Sequence, residues 1–153
     1  MEPRSLGTIR KILLWGLLAG STGTLLELLL IGHDELAAQL APLILLGAGV
    51  VVAVWVLVAP APASIRTIQL LMVIFVASGV IGIVLHYKGN EAFELEMSPT
   101  RAGISLISKT LTGATPVLAP GSMSLLGLVG LAFTHRHPAL RSQPGTFSSK
   151  EEA

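Results

Sequence analysis

The sequence predicts an all-α membrane protein: a four-transmembrane-helix bundle with a short extracytoplasmic amphipathic helix between helices 3 and 4. Three observations carry that expectation. Apolar residues make up 52% of the 153 residues, charged residues only 12%, and the mean hydropathy is +0.75. A soluble domain carries about 25% charged residues, so this chain lacks the charge to keep its surface in water, and lipid is the simplest solvent for it. Four apolar stretches have roughly spanning length, and Lys and Arg gather at one end of them.

The first stretch, residues 12–32, would rise about 31 Å as a helix, matching a hydrocarbon core of about 30 Å. Arg4, Arg10 and Lys11 precede it, as in a signal peptide. The apolar run continues without a small-x-small cleavage pattern at the right distance, which predicts a helix that stays. Gly32, His33, Asp34 and Glu35 form a tight turn, so helices 1 and 2 are expected to be antiparallel neighbours. The second helix covers residues 37–59 and is broken by Pro60 and Pro62, with Ser64 placed to N-cap the third helix over 68–86.

The long connection that follows contains Ile104, Leu106, Ile107 and Leu111 near helical spacing, interleaved with Arg101, Ser105, Ser108 and Lys109. That pattern predicts an amphipathic helix over about 99–111, lying on the outer surface or capping the bundle. The fourth helix is expected over 116–134. Pro120 either kinks it or is its first residue. Residues 1–137 form one transmembrane domain on this reading, and 138–153, rich in Ser, Pro and charge, form a flexible cytoplasmic tail.

Orientation follows from the cations. Arg4, Arg10, Lys11, Arg66, Arg136, Arg141 and Lys150 fall on one side, and Lys88, Arg101 and Lys109 on the other. The positive-inside rule places the first group, and both termini, in the cytoplasm of a multi-pass plasma-membrane protein, with a bacterial inner membrane as the default. Asp34, Glu35, Glu91, Glu94 and Glu96 then make an acidic outer rim.

Within the apolar runs, Gly16, Gly20, Gly23, Thr24 and Glu27 recur at spacings of three and four on helix 1. Small residues on one side suit close helix packing, so Glu27 is expected to point into the bundle. Ser78, Gly82, His86 and Asn90 make a similar stripe, if helix 3 continues past Tyr87. Glu27, His86 and Asn90 are therefore the candidate polar or proton site, with a Glu27–His86 pair as its sharpest form. The plain alternative is a Glu27 bonded to a neighbouring helix or reaching the headgroups. Gly16, Gly20, Gly23, Ser78, Gly82, Gly127 and Gly130 are the candidate packing residues. His33, Asp34, Glu35 and His86 offer imidazole and carboxylate for a metal, although their spacing matches no zinc signature. His135, Arg136 and His137 read as an anchor at the cytoplasmic end.

The chain has no cysteine, which excludes thiolate chemistry and disulfides. It has no phosphate-cradling glycine loop, no G-x-S-x-G elbow and no basic stripe for nucleic acid. No cofactor is implied. In layout, four short helices with one glutamate in the first, the chain resembles the small multidrug resistance transporters. It departs from them in length, in the position of Glu27 toward the outer end, and in having few aromatics beside Trp15 and Trp55 to line a drug cavity.

The expected function is non-enzymatic: a subunit or scaffold embedded in the bilayer that binds other membrane proteins or itself. A proton- or cation-coupled transporter using Glu27 is the alternative. A cofactor or metal site on the outer face, built on His33 and His86, is the third reading.

Overall fold

The computed structural model describes residues 4–33 and 37–140, and these are all-helical: α1 Arg4–Leu30, α2 Ala37–Val58, α3 Pro62–Met97, α4 Gly103–Leu111, α5 Gly121–Thr134 and a 3-10 turn Pro138–Leu140. Asp34, Glu35 and the tail from 141 onward lie outside the described residues. Three helices, α1, α2 and α3, are long and apolar enough to cross a membrane. Only 17–22% of the most apolar window in each is buried, so most of their apolar surface faces outward. Trp15, Ile44, Val51, Leu70 and Ile81 are among the large side chains so exposed. In water such a surface would aggregate, whereas against acyl chains it costs nothing.

The helices form a ring in which α1 and α3 each pack against α2 and α5. Residue pairing gives their directions. Gly20 meets Leu126 and Gly130 approaches Leu17, while Gly82 meets Pro120 and Gly127 meets Met72, so α5 runs antiparallel to both α1 and α3. The centre is filled by Leu14 and Leu17, Leu46, Ala53 and Val56, Ile65, Ile68, Met72 and Phe75, and Met123 and Phe133. One end of the bundle holds Arg10, the α2–α3 link and His135; the other, called the far end below, holds Leu30, α4 and the start of α5.

The tightest contact is between α3 and α5. A Cβ built on Gly127 would lie 2.7 Å from Met72 O, and one on Gly79 would lie 2.6 Å from Ser124 N, so both approaches are backbone-close. Ser124 Oγ donates to Val76 O across the same seam at 3.0 Å.

Several boundaries differ from the sequence expectation. α3 starts at Pro62, its first-turn position, and not after Ser64. Ser64 is instead the third residue of that turn, where its hydroxyl accepts from Ala61 N–H at 3.0 Å and donates to Ala59 O at 2.8 Å. The same helix continues to Met97, giving 36 residues and a length of about 54 Å. It thus overshoots a ~30 Å hydrocarbon core by several turns. α5 begins at Gly121 with Pro120 as its N-cap, so no kink is needed. The expected start of this helix, 116–120, is a run of tight turns closed by Ala119 N–H to Pro116 O and Gly121 N–H to Leu118 O. At 14 residues, α5 is shorter than a full span.

Candidate functional site

At the far end, the overshoot of α3 carries His86 and Asn90 out of the four-helix region and against the connection between α4 and α5. Asn90 is 3% exposed and fully bonded. Its Nδ2 donates to Thr110 O at 2.9 Å and Thr115 O at 2.8 Å. Its Oδ1 accepts from Thr115 N–H at 3.2 Å and Thr115 Oγ1 at 2.7 Å. Both amide donors and both acceptor lone pairs are thereby used. Gly113 must be small here, because a Cβ on it would lie 2.7 Å from Asn90 Cγ. One turn earlier, His86 Nδ1 lies 3.0 Å from Pro116 O; a carbonyl only accepts, so this nitrogen carries the proton. The two residues staple the 110–116 connection to α3.

A second polar contact steadies the same end. Arg101 pairs with Glu94, tying the turn before α4 to the last turns of α3. α4 then places Thr110 inward and Leu106 partly so, while Ile104, Ile107 and Leu111 stay exposed. Its apolar stripe therefore faces mostly away from the bundle. Beside it, Ile83, Val84, Tyr87, Lys88, Glu91, Leu111, Val117 and Leu118 line an open groove of about 300 Å³.

Glu27 is elsewhere. It lies on the exposed side of α1, about one turn before the helix end, and forms no pair with His86. The ring explains this, because α1 and α3 sit on a diagonal and not side by side. The inward face of α1 is Leu14, Leu17 and Ser21, and the outward face is Ile12, Gly16, Ala19, Gly23 and Glu27. A Cβ added at Gly16 or Gly23 would meet nothing within 4 Å, whereas one at Gly20 would lie 2.6 Å from Leu126 Cδ2. Of the other expected packing residues, Gly82, Gly127 and Gly130 make close approaches to α5, α3 and both α3 and α1 respectively, and Ser78 is half-buried. Gly79, unmentioned by the sequence reading, makes the closest backbone approach together with Gly127.

At the opposite end, Arg10 Nη2 donates to His135 O at 3.1 Å and Arg136 O at 3.2 Å, binding the C-cap carbonyl and the one after it just beyond the end of α5. Arg136 has φ +48, a left-handed conformation that this clamp helps hold. His137 packs its ring against Phe133 with centroids 5.3 Å apart, and its Nδ1 accepts from Ala139 N–H at 3.2 Å. Burial, with Arg10 nearby as a second cause, lowers the His137 pKa below its ordinary 6.5.

Among the described residues, no three His, Asp or Glu side chains gather as a metal site. His33 is described and lies in the turn after α1, while its expected partners Asp34 and Glu35 fall outside. The residues that sequence reasoning did not find are Thr110, Thr115 and the groove wall. Asn90 itself was the available signal: a buried amide on a helix extension must find several partners, and the Gly113 to Pro116 turn was the nearest backbone rich in free groups.

No family model, no curated protein and no solved structure matches this chain. The likeness to small multidrug resistance transporters is accordingly one of layout alone.

Proposed function

We propose that this protein is a non-enzymatic membrane subunit that associates laterally with another membrane protein through the outward face of α1. The supporting observation is that face itself: Gly16, Ala19 and Gly23 lie along it at helical spacing, uncovered, with Glu27 at its far end. Small residues let a second helix come close enough for backbone-to-backbone packing, which is a main source of helix affinity in lipid. A carboxylate at its edge supplies a directional contact. A charged side chain deep in the bilayer costs about 2.5–3.5 kcal/mol, less near the interface, and a partner helix offering a donor or cation at that depth would recover part of it.

In the same reading α5, with the turns before it, completes a fourth crossing. The Lys and Arg bias then sets Arg10, Arg66 and Arg136 in the cytoplasm, and α4 lies in the opposite headgroup layer, its Ile104 and Ile107 toward lipid. The transport alternative asks for Glu27 on an interior path. Its position on the outer side of α1 favours the association reading.

Because the chain has no cysteine, single cysteines can be placed at will. Cysteine at Ala19 or Gly23 should give a crosslink to one discrete membrane partner in native membranes, and cysteine at the equally exposed Val80 of α3 should not. Gly16→Leu should abolish the crosslink from Gly23 while leaving the monomer folded, since its site is open. Crosslinks of equal yield from Val80, or none from α1, would remove the proposal. A crosslink only to a second copy would make the partner the protein itself.

A further inference from the structure

We propose that the groove at the far end of α3 holds one phospholipid whose headgroup carries a phosphate and a primary amine. This stands apart from the α1 face and survives or fails independently of it. Some 20 residues cross a hydrocarbon core, so a span counted from Arg66 ends near His86. Ile83 and Val84 on one wall of the groove thus sit at the edge of the hydrocarbon, with Leu118 facing them from the turn before α5. Lys88 and Glu91 line the other end, one to two turns further out, at headgroup level. The groove runs across the boundary as a lipid does.

Its chemistry changes in the same direction. The walls are almost wholly apolar, and the volume of about 300 Å³ is at the lower end of ligand-site sizes, enough for part of one acyl chain. At the outer end stand one cation and one anion. Lys88 and Glu91 are three residues apart on one helix, close enough to be neighbours, yet they form no ion pair with each other. Lys88 is exposed and Glu91 is half-exposed, so each has capacity for a ligand. A phosphate beside Lys88 and an ammonium beside Glu91 would satisfy both, in the order in which an aminophospholipid presents them. Tyr87 brings an amphipathic ring to the same level, where such rings are favoured.

The charge pair also discriminates. A net-anionic headgroup would satisfy Lys88 and be repelled by Glu91. A trimethylated amine would meet Glu91 without a single N–H to donate. A primary ammonium donates three hydrogen bonds, and a charge-assisted bond to a carboxylate is about twice as strong as a neutral one.

The test is native mass spectrometry of the purified protein in mild detergent, titrated with phosphatidylethanolamine, phosphatidylcholine and phosphatidylglycerol of identical acyl chains. One phosphatidylethanolamine should be retained at least about tenfold more tightly than either other lipid, which corresponds to ~1.4 kcal/mol. Glu91→Gln should erase its advantage over phosphatidylcholine, and Lys88→Gln should weaken all three. Val84→Trp fills the groove without touching a charge and should abolish retention, with circular dichroism reporting an unchanged helix content. Equal retention of the three lipids, a preference for phosphatidylglycerol, or retention unaffected by Val84→Trp would overturn the proposal.

Discussion

Replacing Asn90 by alanine removes four hydrogen bonds at one stroke, and the structure says what each loss costs. Thr115 is exposed, so its N–H, carbonyl and hydroxyl find water after the change, and each bond lost there costs at the low end of ~0.5–1.5 kcal/mol. Thr110 is fully buried, and its carbonyl loses its Asn90 donor in a place water reaches poorly. It keeps a long bond from Gly113 N–H at 3.4 Å, and a buried carbonyl left so weakly paired costs toward the lower end of about 1–3 kcal/mol. Asn90→Ala should therefore destabilise the far end by about 2–4 kcal/mol. For a chain of this size that is a fall of about 5–15 °C in Tm if the loss is global. Hydrogen exchange in detergent is the sharper assay. Segment 110–118 should lose protection by a factor of about 30 or more, roughly 2 kcal/mol, while the α3–α5 seam around Gly127 keeps its own. Asn90→Asp is the control for mechanism. Its carboxylate still accepts from Thr115 but faces the Thr110 and Thr115 carbonyls with no donor, so protection should be lost at neutral pH and partly regained on acidification. Unchanged protection in Asn90→Ala would refute the staple and leave this end held by the Arg101–Glu94 pair, the His86 bond to Pro116 O and apolar packing.

Two further outcomes follow from the geometry. Gly127→Ala places a methyl 2.7 Å from Met72 O, a backbone atom that cannot swing aside, so it should cost about 1–3 kcal/mol as overpacking; Gly16→Ala, at an open site, should leave Tm in detergent unchanged within error. His137 gives a pH dependence. Its folded pKa lies below the unfolded value of 6.5, so between the two the unfolded chain binds more protons and stability falls as pH falls through that window. Protonation puts a charge beside Arg10 and takes away the acceptor of Ala139 N–H. Thermal stability should thus decline from pH 7.5 to 5.5 more steeply in the native chain than in His137→Gln; parallel profiles would place the titration elsewhere.

What was legible in the sequence is what lipid enforces directly. Spanning length, the breaks at Pro60 and Gly32, and the amphipathic pattern of α4 are read from hydropathy and backbone chemistry, and the helices lie close to where those signals put them. The extension of α3 to Met97 was half legible. The stripe through His86 and Asn90 suggested it, but residues 87–97 are polar enough to read as loop, and what holds them helical is the packing of α4 against α3. Pro120 carried two readings that sequence could not separate, because a proline fits a first turn and a kink equally well.

The rotation of α1 is the instructive miss. In water, a helix turns its large apolar residues inward because exposing them costs free energy, and the pattern fixes the face. In a bilayer, leucine gains nothing by moving from lipid to protein, so hydropathy cannot say which side of α1 points in. Volume decides instead. The centre of this ring is wide enough to take Leu14 and Leu17 from α1. The α3–α5 seam is narrow, and takes Gly79, Gly127 and Gly130. A stripe of glycines is therefore a statement that some helix comes close, without saying whether that helix belongs to the same chain. On α3 and α5 the close neighbour is present. On α1, Gly16, Ala19 and Gly23 face outward with Glu27 beside them, and the same physics that closes the inner seam leaves this one open to a helix from outside.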